Sequence, residues 1–394
     1  MMEQVKIWTN KNLQGDPIIW LVVFALSIVS ILVVYSATGT LAFKHMTNPE
    51  SYLINHTMLL ILGLGAMWVA HKIDYRYYSK LSRFALWISV PLLIYTFTNG
   101  TTINDASRWI VIPIINKTFQ PSDLASLALI TSLAGMLAKR QQNIDSFKES
   151  LIPILIWCGV ICGLIALTNL SSAVLLFATC MLLMFIGRVP IKYLAMLVFV
   201  GLLAGVLALE FGVRSETAKA RIEAYKEMIM GEGEPSYQAK HGFIAVASGG
   251  PIGKGPGKST QRNILPAPFS DYVYAIIIEE YGMFGGITVL LLYLILLYRG
   301  MKGVSKSEQA YGGLLAAGLS FAIVVQAMVN MGVVVGLGPV TGLPLPLISM
   351  GGTSLLFTGF SLGIILSVSR GQIDNEWGSS GTSHEFKNAP KAAA

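Results

Sequence analysis

Charge is what this sequence has least of. Of its 394 residues only 12% are Asp, Glu, Lys or Arg, while 54% are hydrophobic, and the mean hydropathy is +0.63. Soluble globular chains carry roughly 25% charged residues, so an ordinary water-soluble domain is excluded as the bulk of the chain. Cysteine is scarce as well. Cys158, Cys162 and Cys180 all fall in apolar runs with no further Cys or His at metal-ligand spacing, so neither a disulfide framework nor a zinc site is expected. The His residues are scattered, and they form no HxxxH pair and no catalytic triad. Residues 1–16 lack the short apolar core and small-residue cleavage site of a signal peptide, so the first apolar run is expected to direct insertion itself.

What is present is a series of apolar runs of roughly membrane-spanning length. They fall at residues 18–35, 52–70, 84–97, 124–138, 151–167, 170–186, 191–211, 272–298, 311–335 and 347–368. The expected fold is an all-α polytopic membrane protein of about ten transmembrane helices, with one long loop, residues 212–270, between the seventh and the eighth. Lys6, Lys72, Arg76, Lys139, Arg140, Arg188, Lys192, Arg299, Lys302 and Arg370 fall in alternate connections. By the positive-inside rule that side is cytoplasmic, both termini lie there, and the long loop faces outward. The net charge of +7 is thus a property of short loops and carries no nucleic-acid signal. Residues 1–17 form a cytoplasmic segment, 18–369 the membrane domain, and 370–394 a glycine-rich polar tail expected to stay disordered.

Residues 248–282, SGGPIGKGPGKSTQRNILPAPFSDYVYAIIIEEYG, join a glycine-rich basic loop to an apolar helix containing acids. Carboxylates in an apolar span are costly to desolvate and are seldom retained without a partner or a task. GKGPGKS invites comparison with a P-loop, but Ile252 stands where that motif requires glycine, and no nucleotide is expected. Backbone donors with Lys254, Lys258 and Arg262 suit a phosphorylated ligand; lipid headgroups are the plainer alternative. Asp271, after Pro266, Pro268 and Ser270, can act as a helix cap, or as a general base or cation ligand at the membrane boundary. In an ideal helix Glu279 lies about 80° around from Asp271 and about 12 Å deeper, able to line the same cavity, whereas Glu280 lies about 180° away and is read as structural first.

Arg108, beside Trp109, is the basic candidate of the connection before the fourth span, with a headgroup-facing arginine as the alternative. Gln120, Pro121, Ser122 and Asp123 read as a helix start, with Asp123 expected to serve the first turn. Residues 336–354, GLGPVTGLPLPLISMGGTS, break two apolar runs. Irregular backbone at membrane depth is tolerated where protein or a water-filled cavity satisfies it, so Pro344, Pro346 and Ser349 are expected at a cavity wall.

SRWI, QPSDLA, GKGPGKSTQ, FSDYVYAIIIEEYG and PVTGLPLPLISMGGTS, in this order and topology, resemble the SEDS family of bacterial shape, elongation, division and sporulation proteins, up to Arg370. The wording of the loop is closer to the division branch (FtsW-like) than to the elongation branch (RodA-like). The resemblance implies a peptidoglycan glycosyltransferase that polymerises lipid II at the outer face of the cytoplasmic membrane, at the division septum. It implies a class B penicillin-binding protein as partner, with other divisome proteins and an undecaprenyl-linked glycan. It places the essential acid on Asp271 and the paired acids on Glu279 and Glu280. Arg108, Lys254, Lys258 and Arg262 then neutralise the diphosphate leaving group, with Mg²⁺ or another divalent cation as companion. Thr168-Asn169-Leu170-Ser171-Ser172 replaces an acidic turn common in relatives, so no role of that turn is carried over. A precursor flippase and a non-catalytic division scaffold share the same features and are the competing classes.

Overall fold

The computed structural model describes residues 12–44, 49–103, 106–112, 117–141, 147–211, 215–306 and 309–385. Twelve α-helices are described: α1 Pro17–Lys44, α2 Pro49–Lys72, α3 Tyr75–Asn99, α4 Pro121–Arg140, α5 Ile152–Thr168, α6 Leu170–Ile186, α7 Ile191–Phe211, α8 Ser215–Met230, α9 Tyr237–Gly249, α10 Val273–Lys306, α11 Ala310–Val334 and α12 Ser354–Glu385. Eight are long and apolar enough to cross a membrane, and α5 and α6 are shorter apolar helices. The series of apolar runs therefore reappears as helices, in a multi-pass membrane protein.

Local chemistry sets the ends of these helices. Asp74 accepts the Arg76 amide at 2.9 Å to start α3. Asn169 breaks the chain between α5 and α6, its side chain accepting the Ser172 amide at 3.4 Å. Pro121 opens α4 where a missing N–H is no loss. Burial separates centre from rim: 67% of the apolar windows of α4 and α11 is buried, against 6% for α7. Lipid tails give no hydrophobic drive between helices, so close packing must hold them together. Gly63 and Gly359 show this for α2 and α12, since a Cβ on Gly359 would lie 2.1 Å from the Gly63 carbonyl oxygen.

Three features depart from the sequence expectation. The connection before α4 is an antiparallel sheet, β1 Thr101–Ile103, β2 Ala106–Ile112 and β3 Lys117–Phe119, in the order β1-β2-β3, a small addition to a nearly all-helical membrane fold. Trp109 pairs with Thr101 and Ile110 with Phe119, which stiffens the backbone carrying Arg108. The long loop contains α8 and α9. The last span begins at Ser354 and not near 347, because residues 347–353 are irregular, and α12 continues to Glu385, past the Arg370 boundary set for the tail.

Candidate active site

The glycine-rich loop is built into a break in α10. At Gly282 the backbone leaves helical geometry, with φ 69° and ψ −170°, a region essentially restricted to glycine. An unbroken helix would pair Met283 with Glu279 and Phe284 with Glu280 through the backbone. Here the Lys254 and Gly255 amides donate to the Glu279 and Glu280 carbonyls, each at 2.9 Å, while Met283 donates to Gly250 at 2.9 Å and Phe284 to Pro251 at 3.3 Å. The loop thus supplies partners for these four backbone groups at the break. Contact is so close that a Cβ on Gly253 would meet the Glu280 carbonyl oxygen at 2.3 Å, and one on Gly282 the Pro251 oxygen at 2.2 Å.

The two buried acids complete this splice. Glu279 accepts from Lys254 Nζ at 2.5 Å, Thr260 Oγ1 at 2.8 Å, the Thr260 amide at 3.1 Å, and the Ser259 hydroxyl. Glu280 accepts from the Ser259 amide at 3.3 Å and the Ser36 hydroxyl, with Arg262 at 4.0 Å. Arg262 also donates to the Ser36 carbonyl at 2.9 Å, tying the loop to α1. Several donors per carboxylate compensate the cost of burying it. Lys254 is thus paired with Glu279, and Arg262 with Glu280 and Ser36, so both cations are engaged within the protein and not at a diphosphate site. Glu280 draws its partners from α1 and the loop, and Lys258 is exposed.

Asp271 is held differently. It stands two residues before α10, and its backbone is fixed from behind by the irregular 336–354 segment. Asn330 Nδ2 donates to the Asp271 carbonyl at 2.7 Å and to the Leu343 carbonyl at 2.8 Å. Ser349 Oγ donates to the Ser270 carbonyl at 2.6 Å and accepts the Leu345 amide at 2.8 Å, while Gln326 donates to the Pro344 carbonyl at 2.9 Å and Tyr293 to that of Pro346. The broken helix is thus a brace for the Asp271 turn, and Pro346 and Pro344 also line cavities.

The Asp271 carboxylate, in contrast, has no ion pair among the described residues, and its backbone contact is with its own amide and not with the first turn of α10. Burial pushes this carboxyl above the usual carboxylate range, and the Arg221 guanidinium draws it back. Arg221, on α8, also lies 3.5 Å from the Thr341 carbonyl. By sequence alone it is indistinguishable from its charged neighbours in 215–230.

Ser270 of this turn lines one cavity, and Arg221 lines another. Arg108 and Arg221 both line a groove of about 430 Å³ whose other walls include Val174, Leu175, Ala178, Val325 and Val329 of α6 and α11. A polar cavity of about 270 Å³ gathers Arg108, Gln120, Asn169, Ser270 and Thr353 from four connections with Asp123 of α4 and Gln326 of α11. Gln120 donates through Nε2 to Ser122 Oγ at 2.9 Å and through its amide to Thr353 Oγ1 at 3.2 Å, closing one wall. No three His, Cys, Asp or Glu side chains gather as a metal set among the described residues, and the charge acting on Asp271 is an arginine. These residues do not fit a resident divalent cation, and no step is derived through one.

Residues 16–373 match the FtsW/RodA/SpoVE family of cell cycle proteins. A probable peptidoglycan glycosyltransferase FtsW of Geobacter metallireducens is 33% identical over 362 residues, covering 90% of this chain and 94% of its own length. The stage V sporulation protein E of Bacillus subtilis is 31% identical over 372 residues, covering 92% and 99%. The crystal structure of the rod shape determining protein RodA of Thermus thermophilus aligns with a TM-score of 0.66 at 25% identity, over 91% of this chain and 97% of that one. A chain from a structure of a peptidoglycan synthase complex, titled for its coordination of polymerization and crosslinking, has the same fold, with a TM-score of 0.71 at 24% identity over 91% and 98%. With nearly its whole membrane domain matched, the chain belongs to the FtsW/RodA/SpoVE family of cell cycle proteins.

Proposed function

We propose that this protein is a peptidoglycan glycosyltransferase that polymerises lipid II into glycan strands at the outer face of the bacterial cytoplasmic membrane, in the division branch of its family. One observation carries the assignment of the site. Of the acids near the start of α10, Glu279 is engaged by loop donors through both oxygens and Glu280 through Oε1 by Ser259 and Ser36, whereas Asp271 is fixed through its backbone carbonyl and its carboxylate has no ion pair among the described residues. A carboxylate of raised pKa at a membrane boundary suits a general base.

Asp271 takes the proton of the acceptor's terminal GlcNAc 4-hydroxyl. That oxygen attacks the anomeric carbon of a MurNAc, and the bond from this carbon to the undecaprenyl diphosphate breaks, the electron pair leaving with the diphosphate. Arg108 and Arg221 at the mouth of the groove neutralise the leaving group, and the apolar wall of α6 and α11 takes the prenyl chain. Arg221 thus replaces Lys254 and Arg262 beside Arg108.

Crosslinking of the strands falls to a class B penicillin-binding protein. The resemblance to a chain of a peptidoglycan synthase complex supports that partner; divisome proteins, cytoplasmic termini and a septal location complete the proposal. Glycan formation from purified lipid II tests it, using the protein co-purified with a transpeptidase-dead partner. Translocation of lipid II across liposomes without any glycan product would favour the flippase reading instead.

A further inference from the structure

Asp123 is a half-buried acid that neither the splice nor the proposed reaction uses. It stands in the first turn of α4, yet no side-chain hydrogen bond caps that helix, so the capping role expected from its position is not what holds it. Its Oδ2 is shielded from bulk solvent and accepts no hydrogen bond among the described residues. An acceptor left in that state costs folding energy that a donor-bearing ligand recovers.

Its surroundings say which donors. Asp123 lines both the polar cavity of about 270 Å³ and a mainly apolar one of about 110 Å³ whose walls also include Ser126, Ser172 and Thr358. Ser270, the neighbour of Asp271, is on the wall of the polar cavity, and so is Arg108, which also lines the apolar groove. A lipid-linked sugar whose diphosphate lies at Arg108 therefore has its first saccharide beside Asp123. An ionised carboxylate only accepts hydrogen bonds. It repels a diphosphate and gains nothing from a prenyl chain, whereas the O–H and acetamido N–H groups of an amino sugar supply the missing donors. The side-chain oxygens of Asn169 and Gln326, on the same wall, add further acceptors for such a ring.

We propose that Asp123 is a saccharide-binding residue, taking the hydroxyl or acetamido N–H donors of the lipid-linked donor substrate in the cavity next to Asp271. The proposal rests on the glycosyltransferase reading and names the part of the substrate that this cavity receives.

Equilibrium binding to the full-length protein in lipid nanodiscs tests it, with two probes: lipid II, and undecaprenyl diphosphate, which has the same tail and diphosphate but no sugar. Asp123→Asn and Asp123→Ala are expected to weaken lipid II binding at least about tenfold, the range of a lost charge-assisted hydrogen bond, and to leave undecaprenyl diphosphate binding unchanged. Retained binding of the sugarless probe shows that the variants are folded, and the near-isosteric Asp123→Asn serves if the alanine variant is not. Equal lipid II affinity in wild type and Asp123→Asn overturns the proposal, as does a parallel loss of both probes. Lipid II binding that disappears with removal of metal cations in the wild type but not in the variants assigns Asp123 to a cation, and also overturns it. Wild type that binds lipid II but forms no glycan with its partner retires the glycosyltransferase reading, while the comparison of probes still decides the role of Asp123. Wild type that binds no lipid II overturns both.

Discussion

Asn330 of α11 holds the Asp271 carbonyl at 2.7 Å with the same amide nitrogen that holds the Leu343 carbonyl at 2.8 Å. One side chain thus couples the irregular 336–354 segment to the turn that presents the candidate base, and Ser349 repeats the link one residue earlier through Ser270.

Asn330→Ala is expected to leave two buried carbonyls without this donor and to cost on the order of 2 kcal/mol of stability. Glycan synthesis should fall by more than the folded fraction does, because the turn also loses its register. Thermal unfolding of the purified protein measured beside lipid II turnover checks this. Wild-type turnover in a folded variant would show that the brace does not position Asp271.

The splice predicts a graded response to alanine at two loop glycines. Gly282→Ala places a Cβ 2.2 Å from the Pro251 oxygen at φ 69° and ψ −170°, a combined clash and strain expected to cost at least about 3 kcal/mol. Gly257 also has positive φ, at 74°, but open space around it, so Gly257→Ala should cost only about 1 kcal/mol. Thermal stability in detergent separates them, and equal effects would contradict the close contact described here.

The length and order of the helices and the acids at the N-terminal end of α10 were legible in the sequence because apolar runs and isolated carboxylates are local signals. The partners of those acids were not. Helical geometry predicts the angle between Asp271 and Glu279, but the groups that satisfy Glu279 are the backbone and side chains of residues about 20 positions away, and a single sequence does not show a loop folding into a helix break. The glycines of 249–257 were visible as flexibility, whereas their use is a close approach at Gly249 and Gly253. The sheet before α4 was not anticipated, and the three-residue strands that pair with β2 are below what periodicity detects. Arg221 lay hidden in a helix rich in exposed charge.

Lys254 and Glu279 separate the structural role from the ligand role. Glu279→Ala strands a cluster of buried donors and should cost about 3 to 5 kcal/mol, with increased proteolysis of the 250–263 loop. Lys254 is partly exposed, with 30% of its side chain accessible, so Lys254→Ala should cost only about 1 kcal/mol and leave the KM for lipid II near the wild-type value. A KM raised tenfold or more at unchanged stability would return Lys254 to the diphosphate.

Asp271 also predicts a pH dependence. Its carboxyl is raised by burial and drawn back by Arg221, and a base acts in its ionised form, so turnover should rise with pH through the raised pKa. Arg221→Gln removes the opposing charge and should move that acidic limb to higher pH, with Arg221→Lys intermediate. Stability runs the other way: with the folded pKa above the unfolded one, the contribution of Asp271 is complete below the unfolded pKa and is lost as pH rises through the folded value. Initial-rate profiles of the three proteins decide, and an unmoved limb in Arg221→Gln would show that Arg221 does not act on the base.

The most direct test is polymerisation of purified lipid II by wild type and Asp271→Ala, each co-purified with the same transpeptidase-dead class B partner and matched for folded complex. Glycan strands from the wild type, with product from the variant lowered by at least about a hundredfold, are the predicted result for loss of a general base. Strands made by Asp271→Ala at the wild-type rate would contradict the account and move the chemistry away from Asp271.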